Sequence, residues 1–357
     1  MVSFPLRALT VLSLLTLFAT TVVNGTPAVK QDSRTSAPSG AVVVRGSGTK
    51  SGEYSTVQAA VNSLSSNGTA KVIFIYAGKS ISLQVIQRLI VYIDRKGKTT
   101  IMGQTSDTSS YTGNTVTITH SSSLGTAGTD DLTGTLRVHK DDFALYNVNV
   151  KNMFGQASTN GQVLALSAYG SNQGYYGVGF YSYQDTVLAE TGNQFYGSCY
   201  IEGAVDYIFG QYARAYFHEN MIASVGAGAI TASGRTASSG TSGTSLFVIN
   251  KATITTSSVA KTSLQGKVYL GRPWGNYARV VYTSCSLGNL INGAGWEQWS
   301  SSSPNTDHVT FAEYESIGSG ASGTRASFST KLSSTSGYTI SDVLGSTYTS
   351  WVDSSYL

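Results

Sequence analysis

Residues 180–210 read FYSYQDTVLAETGNQFYGSCYIEGAVDYIFG. Runs of Phe, Tyr, Ile and Val alternate there with Gly, Ser, Asn and Glu, the composition of short β-strands broken by turns. One run ends at Phe180 and the next at Ile201. The pattern extends both ways: FALYNVNV ends at Val150, YFHENMI at Ile222, VINKATI at Ile254 and YTSCSL at Leu287. Successive anchors are 30, 21, 21, 32 and 33 residues apart. Recurrence at this period predicts the coils of a solenoid, with the longer gaps forming loops on one face. A β-sandwich of hairpins is the competing architecture. Hairpin turns such as Asn-Gly are scarce between the runs, which counts against it. The expected fold class is all-β, a single-domain parallel β-helix.

The register carries a chemical consequence. Asp185 lies five residues after Phe180, and Asp206 five residues after Ile201. If the anchors stack on adjacent coils, the aspartates stack as well, about 4.8 Å apart. Two carboxylates at that distance cannot both ionise freely, so one can serve as a nucleophile while the other holds a proton. Both sit among apolar and aromatic residues in a chain with only 12% charged residues, about half the usual share. Taken singly, each reads first as a turn or capping residue. As a pair they permit glycoside hydrolysis, ester hydrolysis through an Asp nucleophile, or proton abstraction from a uronic acid. The residues alone leave these open.

Other chemistries find less support. There is no G-x-S-x-G, C-x-x-C or H-E-x-x-H, and no G-x-G-x-x-G between a strand and a helix. His120, His139, His218 and His308 are scattered and read as structural or surface residues, so no metal site is expected. Asp130-Asp131 and Asp141-Asp142 read as isolated pairs on loops. The formal charge of +4 comes without a dense Lys/Arg run, so nucleic acid is not an expected partner. Gln162 and Gln184 carry N–H donors that can face a developing oxyanion, but either taken singly reads first as a surface glutamine. Arg272 beside Trp274 offers a bidentate carboxylate ligand and a ring for stacking on a sugar, and reads equally as a loop in which Trp packs and Arg is solvated.

Residues 1–25 read as a secretory signal: Arg7 supplies the charged start and Leu9–Val23 an apolar run too short for a usual span. Residues 26–40 read as a linker or pro-segment, and 41–357 as the folded domain. No other long apolar run exists, so no membrane association is expected. Asn67-Gly68-Thr69 is an N-glycosylation sequon. Residues 55–65, STVQAAVNSLS, predict a short N-terminal helix capped by Ser55, with Val57, Ala60, Val61 and Leu64 on one face. Cys199 and Cys285 each lie two residues before an anchor. They therefore share a repeat position three coils apart, roughly 14 Å, beyond the Cα separation of about 7 Å a disulfide allows.

At YQDT (183–186), QFYGSCYIEGAVDYIFG (194–210) and LGRPW (270–274) the chain resembles the pectin methylesterase family, in its secreted fungal-type branch. Gly161-Gln162, SGRT (233–236), Gly295-Trp296 and the opening AVVVRGSGTKSGEYSTVQAAV (41–61) extend the resemblance to about residues 41–330. The resemblance implies a right-handed parallel β-helix. It implies Asp206 as nucleophile, Asp185 as general acid and then base, Gln162 and Gln184 as oxyanion donors, and Arg272 as the holder of Asp206. It places Trp274 and Phe209 on the sugar cleft. It further implies a secreted, monomeric, cofactor-independent esterase acting on methyl-esterified homogalacturonan, the backbone of pectin.

Overall fold

The computed structural model describes Met1, residues 32–78 and residues 90–357. The expected signal segment, the start of the linker and residues 79–89 lie outside the described residues.

Each coil runs through three strands in turn, and every strand pairs in parallel with its counterparts on the coils before and after. Among the described residues this gives one sheet of eleven strands and two of seven. We call them the first, second and third sheets in the order the chain visits them on each coil. The architecture is the expected right-handed parallel β-helix, the hand that parallel crossovers favour. The anchors are in the expected register. Val150 pairs with Phe180, Phe180 with Ile201, Ile201 with Ile222, Ile222 with Ile254 and Ile254 with Leu287. All are buried along the axis of the second sheet. Strands alternate their side chains, so this inward ladder leaves the next residue of each strand facing outward.

A column of left-handed residues bends the chain from the first sheet into the second. Asn147, Gly177, Ser198, Glu219, Lys251, Ser284 and Glu315 all have φ between 46° and 57°. Only one is glycine, so most of these corners carry the steric cost of the left-handed region, roughly 1–2 kcal/mol each. The stacked ladder offsets it by burying the residues that follow. Cys199, Asn220, Ala252 and Cys285 are four of these, all buried. The two thiols are free, three rungs apart as expected. Their Sγ atoms donate to the carbonyls of Tyr175 and Ile249, at 3.3 Å each.

The N-terminal helix spans Val57–Ser63. Its cap is Thr56, one residue later than expected, whose hydroxyl accepts the Ala59 N–H at 3.1 Å. Val57, Ala60 and Val61 are buried in the main core, against strands Val42–Val44, Lys71–Ile75 and Val91–Ile93. Within residues 32–40, Arg34 is already fastened to the coils: it exchanges backbone hydrogen bonds with Thr105, 3.0 Å each way. At the other end, residues 332–357 cross the outer face of the first sheet. There Val343, Leu344, Val352 and Tyr356 pack on Tyr176, Phe195, Tyr216 and Val248.

Candidate active site

Strands Leu166–Tyr169, Val187–Thr191, Ile208–Gly210, Gly228–Ser233 and Val268–Pro273 make the middle and C-terminal part of the third sheet. Ser167, Leu188, Phe209, Ala232 and Arg272 form one ladder across them. Asp185 and Asp206 stand where the chain enters this sheet. The bridge between Gln184 and Val205 puts them on adjacent rungs, about 4.8 Å apart along the axis. Asp185 N–H donates to Val205 O at 3.0 Å, and Asp206 N–H to Ala229 O at 2.7 Å. Both residues are left-handed, with φ of 61° and 51°. Aspartate tolerates that region better than most residues, and strain of this kind gathers at working sites.

Arg272 comes from two rungs further on. Its Nε donates to Asp206 Oδ1 at 2.8 Å and its Nη2 to Oδ2 at 2.6 Å, a bidentate pair. Both aspartates are buried, at 7% and 6% exposure, and burial raises both pKa values. The neighbours then separate them. For Asp206 the hydrogen bonds and charge of Arg272 oppose the rise. For Asp185 the negative Asp206 and Asp130 add to burial, and it is held well above the usual carboxylate range. Both pKa values end above the ordinary carboxylate value, but Arg272 limits the rise at Asp206 while negative neighbours enlarge it at Asp185.

Val163 N–H donates to Gln184 O at 3.1 Å, so the segments carrying Gln162 and Gln184 lie side by side at this corner. Gly161 keeps this corner close: a Cβ on it would stand 3.2 Å from Gln184 Oε1, a tight contact. Gln162 Oε1 and Asp185 Oδ1 are both buried without a hydrogen-bond partner. The site therefore keeps unsatisfied polar capacity beside the acid pair. Phe209 and Trp274 have ring centroids 6.3 Å apart and share an apolar cluster with Leu164, Leu188 and Ala232. The structure brings all seven expected site residues to this corner of the third sheet.

Trp299, which the sequence reading passed over, joins the same cluster and lies under the Arg272 guanidinium, 4.5 Å from Cζ to ring centroid. Its signal is an isolated Trp in a polar loop. Trp296, three residues earlier, is core: it stacks on Phe311 at 4.3 Å. Glu190 was passed over as well. A β-bulge falls between Ala189 and Thr191, and the Glu190 carboxylate accepts the Gln211 N–H at 3.1 Å. Burial raises its pKa to about 7.

One expectation needs correcting. Asp130 and Asp131 are not an isolated loop pair, because they open the helix Asp130–Thr133. Asp131 holds Arg137, His139 at 2.8 Å and Ser167 at 2.7 Å. Asp130 raises the pKa of both Asp185 and Glu190 by its charge. Neighbours in the fold, invisible in the spacing, recruit this pair. Among the described residues no three His, Cys, Asp or Glu side chains gather as metal ligands.

This arrangement has close relatives. The sequence profile of the Pectinesterase family matches residues 41–338. A pectinesterase of Aspergillus aculeatus is 48% identical over 329 residues, 91% of this chain and 94% of that protein. The crystal structure of the pectin methylesterase from Aspergillus niger superposes with a TM-score of 0.81 at 39% identity, over 91% of this chain and all of the other. The carrot pectin methylesterase superposes with a TM-score of 0.76 at 28% identity, over 90% and 98%. The parallel coils, the acid pair with its arginine and these likenesses agree, and the chain belongs to the pectinesterase family of carboxylic ester hydrolases.

Proposed function

We propose that this enzyme hydrolyses the C6 methyl ester of galacturonate units in pectin, with Asp206 as nucleophile and Asp185 as acid and then base. The Asp206 carboxylate attacks the ester carbonyl, and its electron pair forms the new C–O bond. Gln162 and Gln184 donate to the oxygen that becomes negative. The intermediate collapses by breaking the bond to the methoxy oxygen, which takes the proton of Asp185 and leaves as methanol. Asp185, now a carboxylate, takes a proton from water. The resulting hydroxide attacks the acyl carbon, the bond to Asp206 breaks, and the sugar leaves as its carboxylic acid, which gives its proton to solvent and becomes galacturonate. Asp185 holds its proton again, as its surroundings favour. Trp274 and Phe209 line the sugar cleft.

The observation that carries the reading is the bidentate Arg272–Asp206 pair beside an aspartate whose pKa is raised by burial and by negative neighbours. The steps use side chains of this chain and one water. Secretion through residues 1–25, with action as a monomer outside the cell, belongs to the same proposal. So does a glycan on Asn67, whose exposed side chain sits in a turn with Thr69. The test is methanol release from highly methylated pectin beside solution viscosity. Methanol without a fall in chain length is expected. Chain scission, or an unsaturated product absorbing in the ultraviolet, would show a glycosidase or lyase instead.

A further inference from the structure

The outer face of the second sheet holds a groove that the acid pair does not use. Its volume is about 520 Å³, within the range of small-ligand sites. Lys151, Met153, Tyr181, Tyr183, Val259 and Lys261 line it. The groove and the acid pair share their supports. The strands of the second sheet present Lys151, Tyr181 and Glu202 outward on one ladder. Four residues beyond Tyr181 and Glu202 the same chain delivers Asp185 and Asp206 to the third sheet.

The lining is amphipathic. Met153 and Val259 are 45% and 63% exposed, among the few large apolar residues the described surface leaves open. Lys151 Nζ lies 5.6 Å from the centre of the Tyr181 ring. Neither Lys151 nor Lys261 forms an ion pair among the described residues. The acid that faces them, Glu202, is already engaged: the hydroxyls of Tyr200 and Ser257 each donate to its Oε2 at 2.7 Å. The groove thus sets two lysines without ion-pair partners against the single carboxylate of Glu202, a net positive lining above apolar and aromatic surface. Carbohydrate rings present C–H faces to such surface, and uronic acids add a carboxylate for each cation.

We propose that this groove is a second carbohydrate site, which binds a de-esterified galacturonan strand and so holds the enzyme on the anionic product of its own reaction. The identity of the strand rests on the pectin reading above; the groove and its charge do not. The site should be selective for acidic over neutral sugars, and its binding should weaken with salt.

The experiment is isothermal titration of the full-length enzyme with a de-esterified oligogalacturonate of defined length, at fixed ionic strength. It is repeated on the Lys151→Ala/Lys261→Ala variant and on Lys71→Ala/Lys98→Ala, which removes the same charge elsewhere. The groove variant should bind one equivalent fewer than the wild type, while the control keeps the wild-type stoichiometry. Turnover of a short methylated fragment should be unchanged in both. Lys261→Glu alone, on an exposed loop, should lose the same equivalent if the Lys151 change disturbs folding. Equal stoichiometry in all proteins, no binding to the wild type, or equal binding of a neutral galactan oligomer would overturn the proposal. Methanol release by the wild type is measured separately, so failure of the groove and failure of the pectin reading are distinguishable.

Discussion

Asp185 and Asp206 share a residue type, a backbone conformation and a degree of burial, and differ in their company. Arg272 grips Asp206 at two oxygens, while Asp185 faces Asp206 and Asp130. Asp206→Asn should remove nearly all methanol release without unfolding the protein, since an amide is a poor nucleophile. Asp185→Asn should cost about 10²–10⁴-fold in turnover through lost proton transfer. Near wild-type rates in either folded variant would remove that residue from the mechanism. Arg272→Ala tests the company itself. Without the guanidinium, nothing opposes the upward push of burial on Asp206, so it stays protonated to higher pH. The acidic limb of the kcat/KM profile should move to higher pH in that variant, beyond a general loss of rate. A limb that stays in place would show that Arg272 does not set the charge of Asp206.

At the scale of the strand, the bulge at Glu190 turns a carboxylate into a buried site where a regular strand would have continued the ladder. Its folded pKa of about 7 lies above the unfolded value near 4.3. The folded state therefore holds the proton more tightly. That stabilisation is full below the unfolded pKa and is lost as pH rises through about 7. At about 1.4 kcal/mol per unit the loss is on the order of 4 kcal/mol. Glu190→Gln keeps an oxygen for the Gln211 N–H and has no charge to bury. It should unfold at the same temperature as the wild type near pH 4 and at a higher temperature above pH 7. A difference that does not grow with pH would contradict this origin of the shift. The rungs also fix the cysteines. Thiol titration of the denatured, unreduced protein should count two sulfhydryls, and a count of zero would break the coil register.

Over the whole molecule, each coil buries one side by stacking on the next, and the remaining apolar outer face of the first sheet is closed by the C-terminal tail. The tail is tied as well as packed. Arg214 Nε donates to Val343 O at 2.6 Å, Asn193 Nδ2 to Leu344 O at 3.1 Å, and Asp353 N–H to the Tyr176 hydroxyl at 3.1 Å. Ending the chain after Leu332 would bare Tyr176, Phe195, Tyr216 and Val248 together. Burial of each such side chain is worth about 1.5–3 kcal/mol, and exposed patches of this kind promote association. The truncated protein should unfold at a clearly lower temperature and self-associate on gel filtration. An unchanged melting temperature and a monodisperse monomer would mean the tail is dispensable.

The sequence by itself determined the coil. Inward residues on adjacent parallel strands must be apolar and in register, so the spacing of Phe180, Ile201, Ile222, Ile254 and Leu287 was enough to stack Asp185 on Asp206 and to keep Cys199 from Cys285. Gln162, Gln184 and Arg272 were marked only by the resemblance of their motifs to the pectin methylesterase family. The tertiary structure alone decided what surrounds that pair. The left-handed corners at Glu219, Lys251 and Ser284 leave no mark in residue type, because stacking rather than local propensity holds them there. Trp299 under Arg272, the charge of Asp130 acting on Asp185 and the bulge at Glu190 come from segments far apart in the chain or from an irregular pairing. A periodic pattern encodes which residues share a rung. It does not encode how loops between rungs fold back across the sheet, and those loops set the charge and shape of the site.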